Sequence, residues 1–226
     1  MKLTADQLQR AAGISDDAAR LWLAPVNLAG AACNLTTAVR WAMWIAQCGH
    51  ESASFTRLQE SLNYTPEGLM ATWPKRYTLE LARAHGRSGT KPADQKAIAN
   101  HVYGGRLGNR PGTDDGWAFI GRGVLQITGR DNYKACGDHL GVDLLRDPAM
   151  LANDRRMAAE STAWYWDVRH LNDAADIGDV EGATRVINGG TNGLEDRKRR
   201  YARALAALGA DAGTELRRIG SLASSR

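Results

Sequence analysis

Long apolar runs are missing from this sequence of 226 residues. The longest, near Ala38–Ala46, is interrupted by Arg40 and falls well short of the ~20 residues that cross a bilayer. Stable membrane insertion is therefore not expected. A basic leader followed by an apolar stretch is also missing from MKLTADQLQRAAGISDDAAR, so no signal peptide is visible. Cysteine is scarce. Cys33, Cys48 and Cys136 are an odd number at irregular spacing with no CxxC pair, which removes zinc-site and thioredoxin-type readings. Buried thiols, free and kept reduced in a cytoplasm, are the expected state. A nucleophile built from Cys48 and His50 fails because residues two apart on a helix do not face each other.

Several nucleotide and hydrolase motifs are absent too. His50-Glu51 could open a zinc HExxH sequence, but position 54 is Ser54. Gly121-Arg122-Gly123 begins like GxGxxG, and Gln126 stands where the last glycine belongs. Neither a GxSxG elbow nor a Walker lysine loop occurs. No metal or cofactor is expected. Phenylalanine is nearly absent, with two residues against seven tryptophans. For any single Trp the core is the favoured place, and one or two remain candidates to stack on sugar faces.

What is present is an ordinary globular composition, 43% hydrophobic and 24% charged, enough to form a core without disulfides or metals. The net charge of +4 is mild and suits an anionic partner without choosing one. The basic run Arg197-Lys198-Arg199-Arg200-Tyr201-Ala202-Arg203 reads mainly as a solvated helix face. It lacks the aromatic interleaving and motif of a nucleic-acid binder, so no nucleic-acid partner is expected.

The spacing predicts a mainly α protein. Residues 4–12 form a short helix opened by Thr4 and stopped by Gly13. Ser15 with Asp16 and Asp17 opens a second helix, where acidic side chains suit the positive dipole end. Residues 36–50 are apolar on most sides, the mark of a buried helix, and end on the charged pair His50-Glu51. Helical spacing also runs through 66–84, 92–101, 148–170 and 195–208. Short extended pieces are expected at Arg57–Asn63 and Val124–Thr128. The glycine-rich stretch Gly104–Gly123 reads as a surface loop. A single catalytic domain is expected over 1–226, with an N-terminal helical segment (1–35), a core (36–208) and a loosely held tail (209–226).

Two carboxyl groups suffice for glycosidic cleavage, one protonated and one ionised. Glu51 suits the acid, since it follows an apolar helix and burial disfavours a charge. Glu60 suits the base. Nine helical positions would turn through a net ~180°, so Ser52-Ala53-Ser54 must bend the chain if the two are to act together.

His50-Glu51, the segment Phe119-Ile-Gly-Arg-Gly-Val-Leu-Gln-Ile-Thr-Gly-Arg-Asp-Asn-Tyr133 and Val186-Ile-Asn-Gly-Gly190 resemble glycoside hydrolase family 19, the plant-type chitinases and their bacterial and phage relatives. Gly141-Val-Asp-Leu-Leu145, Asp147-Pro148 and Ala163-Trp-Tyr-Trp166 fall in the family's order, and the match runs from about Trp41 to Leu208. The resemblance implies a lysozyme-like, two-lobed helical domain with a small β element beside the active-site cleft. It implies an inverting mechanism with Glu51 as general acid, Glu60 as general base and Thr128 holding the attacking water. His50, Gln126, Asn132 and Asn188 fall at sugar-contacting positions, and Arg197 at an arginine that would keep the base ionised.

The chain departs from the plant pattern in three ways. Its two glutamates lie close in sequence, without the long loop between them. Asp131 replaces a tyrosine, and Asn192 replaces the acidic partner of the arginine. Leu62-Asn-Tyr-Thr-Pro-Glu-Gly-Leu69, Trp73-Pro74 and Val102-Tyr-Gly-Gly-Arg-Leu-Gly-Asn109 resemble instead the phage endolysin and bacterial lysozyme branch. The substrate implied is the glycan strand of peptidoglycan, with chitin as the alternative and a non-catalytic wall-binding module as a third reading. A monomer is expected, held in a host cytoplasm until it is released to the periplasm.

Overall fold

The computed structural model describes residues 1–89 and 91–209. The described residues are mainly helical and form two compact units. The first unit begins with α1 (Ala5–Ala12), α2 (Asp16–Ala32) and α3 (Ala38–Glu51). The second carries α4 (Pro66–Thr72), α5 (Leu79–His85), α6 (Gln95–Tyr103), α7 (Asp115–Ala118) and α8 (Arg130–Leu140). The chain then completes the first with α9 (Met150–Asn153), α10 (Arg155–Val168), α11 (Leu171–Asp176), α12 (Val180–Asn188) and α13 (Leu194–Ala207). Residues 123–126 also belong to the first unit. No helix among the described residues is long and apolar enough to cross a membrane.

Helix starts follow the capping residues. The Thr4 hydroxyl accepts from the Gln7 amide at 3.2 Å while the Gln7 side chain accepts from the Thr4 amide at 3.0 Å, a closed capping box. Gly13 ends α1 in the left-handed region at φ 65°. Ser15 caps α2 and Thr37 caps α3 in the same manner.

In the first unit α13 packs along α3, and α10 along α2. From Trp41 to Gly49 every residue of α3 is buried. Gly30 on α2 makes room for this helix, because a Cβ there would sit 2.1 Å from the Trp41 ring. Trp22, Trp41, Trp44, Trp164 and Trp166 are buried, so the core reading holds for most of the tryptophans. All three cysteines are free and buried, and burial pushes the Cys33 and Cys136 thiols up to about 12. The second unit has its own core around Leu62, Leu69, Tyr77, Ile98, Val102 and Ile120.

Several boundaries differ from the sequence reading. The stretch 66–84 breaks into α4 and α5 because Pro74 has no amide to donate and disfavours a helical Trp73. The stretch 148–170 breaks at Asp154, whose carboxylate accepts from the Arg156 and Met157 amides and restarts the helix. The expected extended pieces pair only through isolated bridges, Gln59 with Arg122 and Arg122 with Ile127. The glycine-rich loop is not all surface: it contains α7, and Phe119, Ile120, Gly121 and Arg122 are buried. Gly116 permits this, since a Cβ there would lie 2.7 Å from the Ala99 carbonyl oxygen on α6. The expected tail falls, beyond Gly209, outside the described residues.

Asp115 on α7 pins this loop. Its carboxylate accepts from the Arg110 amide at 2.9 Å and from the Arg110 guanidinium at 2.8 and 2.9 Å. The Arg110 hydrogen bonds hold its ionisation at about 2. A depressed carboxyl stabilises the fold above its unfolded range and ceases to do so as pH falls through about 2. Asp115→Asn is expected to cost about 2 kcal/mol at neutral pH. The gap to the parent should close progressively between roughly pH 4 and pH 2. Denaturant melts across that range check it, and a pH-independent gap would contradict it.

Candidate active site

The end of α3 places Gln47, His50 and Glu51 three and four residues apart, hence on one face. Facing them on α13 is Arg197, with no exposed surface. One of its terminal nitrogens donates to the Gln47 carbonyl oxygen and the other to Glu51 Oε1. Gln47 in turn donates to the Thr184 hydroxyl at 3.4 Å and the Val180 carbonyl at 3.5 Å. Glu51 is thus held by a buried arginine that is itself held by a buried amide. Glu51 is 20% exposed and Arg197 fully covered, so the pair sits at the boundary of core and solvent.

A second pair lies beside it. His50 Nδ1 donates to Asp196 Oδ2 at 2.8 Å, and Arg200 Nε donates to the same oxygen at 2.6 Å. Burial alone would raise the Asp196 carboxyl, but the hydrogen bonds from His50 and Arg200 outweigh it and hold it well below the usual range. Gly193 is required here on two grounds. Its φ is +73°, and a Cβ would fall 2.2 Å from the His50 ring.

The bend expected after Glu51 is present. Ala53, Ser54 and Phe55 all occupy the left-handed region, at φ 49°, 60° and 66°. Such residues cost about 1 kcal/mol each when they carry a Cβ. The cost is offset by hydrogen bonds and burial. Ser52 Oγ donates to the Cys48 carbonyl and accepts from the Phe55 amide at 2.8 Å. The Phe55 ring lies 5.2 Å from Trp22 and 6.2 Å from Trp44. Arg200 also donates to the Ser54 hydroxyl at 2.9 Å.

In the second unit Glu60 is fixed from three directions. Its amide donates to the Gly121 carbonyl at 2.9 Å, and the Gly121 amide donates to Oε1 at 2.6 Å. The Tyr103 hydroxyl donates to Oε2 at 2.9 Å. Burial, and then the Glu60 charge, push the Tyr103 hydroxyl far above its ordinary range, so it stays a donor. Buried Arg122 supports the segment by donating to the Gln59 side chain at 2.9 Å and the Ala118 carbonyl at 2.6 Å. Tyr103→Phe is expected to lower kcat about 3- to 10-fold, with KM changed less than twofold, because the Glu60 carboxylate loses one of its two donors, keeping only the Gly121 amide. A KM effect with unchanged kcat would show instead that Tyr103 serves substrate binding.

Of the residues expected from sequence, His50, Glu51 and Arg197 come together in the first unit. Arg197 is buried within a run read mainly as a solvated face, and its carboxylate partner within the first unit is Glu51. His50 commits Nδ1 to Asp196. Glu51 lies beside a guanidinium, where an apolar surround had been expected. Gln126 is left-handed at φ 52°, and its amide donates back to the Gly123 carbonyl at 2.8 Å. Asn188 is exposed at the last position of α12, ahead of the left-handed Gly189. In the second unit Asn132 donates to the Thr128 carbonyl at 2.7 Å. Asp131, a departure from the plant pattern, packs where a Cβ on Gly108 would be 2.0 Å from its carboxylate.

Sequence reasoning missed Gln47, Tyr103, Asp196 and Arg200. Gln47 carried a signal, being a polar residue four before Glu51 inside an otherwise apolar helix. Tyr103 carried none, since its partner lies 43 residues away.

Comparison with known proteins places the chain in a family. A family model described as chitinase class I, glycoside hydrolase family 19, matches residues 93–177. The chain is 42% identical over 162 residues to a glycosyl hydrolase family 19 domain-containing protein of Haemophilus influenzae, covering 71% of this chain and 76% of that one. It is 36% identical over 88 residues to the acidic 27 kDa endochitinase of Solanum lycopersicum, spanning 38% of this chain and about a third (36%) of the plant enzyme. Among solved structures it resembles chitinase C of Streptomyces griseus with a TM-score of 0.61 at 20% identity, over 92% of this chain and 77% of that one. A bacterial family 19 chitinase gives 0.60 at 21% identity, over 92% and 96%.

Proposed function

The chain belongs to glycoside hydrolase family 19, and from that premise we propose that it is an endolysin of the muramidase type, hydrolysing the β-1,4 bonds of bacterial peptidoglycan with inversion. The observation that carries the chemistry is the contrast between its two glutamates. Glu51 is clamped through Oε1 by the buried Arg197 guanidinium, a clamp that does not engage Oε2. Glu60 receives a donor on each oxygen.

In this reading Glu51 delivers a proton from Oε2 to the glycosidic oxygen as the bond to the anomeric carbon breaks. Glu60 takes a proton from water as that water's oxygen bonds to the opposite face of the oxocarbenium-like sugar. Thr128 holds the water, and Gln126, Asn132 and Asn188 contact sugar hydroxyl and N-acetyl groups, since amides both donate and accept. His50, set by Asp196, contributes to substrate contact. The protein acts as a monomer, and reaches the wall after release from a host cytoplasm.

The nine-residue interval between Glu51 and Glu60, and the stretch Leu62–Leu69 that follows, support a bulky, peptide-bearing glycan as substrate. The similarity to endochitinases over part of the chain favours chitin as the second reading. Purified Gram-negative sacculi and colloidal chitin, digested side by side, separate them. Borohydride-reduced products ending in muramic acid would establish the muramidase. Reduced glucosamine ends from sacculi would keep the mechanism and change the bond, and release from chitin alone would establish a chitinase.

A further inference from the structure

Three residues beyond Glu60 the chain borders a groove of about 480 Å³, lined by Asn63, Thr65, Arg87, Ser88 and Lys91 among others. No aspartate or glutamate lines it among the described residues. Elsewhere in the same unit Lys96 pairs with Asp114 and Arg110 with Asp115. Arg87 and Lys91 instead give their hydrogen bonds to carbonyl oxygens, Arg87 Nε to Asn63 at 3.1 Å and Lys91 Nζ to Ala84. Carbonyl oxygens orient a cation without cancelling its charge. Two positive charges therefore border the groove, and neither forms an ion pair among the described residues.

Backbone hydrogen bonds support both residues. Ser88 and Lys91 exchange two backbone hydrogen bonds of 2.9 and 2.7 Å, closing a tight hairpin. The Arg87 amide donates to the Tyr64 carbonyl at 2.8 Å, so both backbone and side chain of Arg87 are tied to the segment leading from Glu60. Gly86 lets the hairpin approach α4 closely, because a Cβ there would be 2.7 Å from the Pro66 nitrogen. Arg87 is thus anchored to carbonyls three and four residues beyond Glu60.

We infer that this groove is a subsite for the carboxylates of the peptide appended to the glycan, read by Arg87 and Lys91. The inference rests on the peptidoglycan reading above and deepens it. A chitin chain has no charge to place there. A peptide-bearing glycan does, and a guanidinium with free terminal nitrogens is suited to take a carboxylate in a bidentate manner. The groove then discriminates between two polymers whose sugars present the same N-acetyl groups.

The test compares the parent with Arg87→Ala/Lys91→Ala on two soluble substrates: glycan strands that retain their peptides, and the same strands stripped by an amidase. Both side chains are exposed, and thermal melts verify that the variant is folded. The expected result is a fall of about fivefold to tenfold in the ratio of kcat/KM for peptide-bearing over stripped strands, through KM. In the parent that ratio should also decline with added salt. An unchanged ratio overturns the subsite while leaving the muramidase standing. An equal loss on both strands overturns it too, since the groove would then serve the glycan or the fold. A parent that cuts chitin and neither kind of strand removes the peptidoglycan reading, and the subsite with it.

Discussion

Glu51→Gln is expected to lower turnover about 10³-fold on a wall substrate with an unactivated leaving group. The amide keeps an oxygen for Arg197 and the shape of the side chain, and loses the proton to be delivered. Loss of the negative charge also weakens the hold on a buried guanidinium, so activity must be measured on protein shown to be folded. The decisive comparison uses leaving groups. A glycoside with a good aryl leaving group needs little protonation, so the deficit should shrink to within about tenfold on such a substrate. A deficit equally large on both would mean that Glu51 positions other groups and donates no proton.

The largest effect on stability is expected at Arg197. Arg197→Leu removes the donor to both Gln47 and Glu51 and leaves two polar groups at the core boundary without their partner. Removing one member of a buried ion pair costs about 3–5 kcal/mol. Arg197→Lys should recover little, because a single ammonium does not reproduce the planar fork that reaches an amide and a carboxylate together. Denaturant unfolding measures both variants. A loss below about 1 kcal/mol for the leucine would show that water replaces the guanidinium at little cost. Activity is expected to fall further than stability, since the oxygen of Glu51 that Arg197 fixes is covalently tied to the one proposed to react.

Much of the first unit was legible because its helices announce themselves locally. Thr4, Ser15 and Gly13 each act within three or four residues of their position, and the apolar surround of Trp41–Gly49 is a property of one segment. The break at Pro74 was equally local and could have been read from the residue itself. Glu51 and Glu60 were legible only through resemblance, as the chain contains many other carboxylates. Arg197 was not legible at all as a buried group. Within Arg197–Arg203 it looks like its neighbours, and only Gln47, 150 residues away, and Glu51, 146 residues away, set it apart. The same holds for Glu60, whose donor Gly121 lies 61 residues along the chain. Periodicity reports which side of a helix is greasy, and says nothing about a polar partner contributed by a distant element.

The separation of α3 from α13 has a consequence for how the protein comes into being. The helix that is buried on nearly every side leaves the ribosome early, and the helix that covers it emerges about 150 residues later. At ~5–20 residues per second, the nascent chain carries that greasy rod uncovered for some tens of seconds or less. Through this interval Gln47 and Glu51 await the arginine that completes them. The clamp on Glu51 is therefore complete only once synthesis has passed α13.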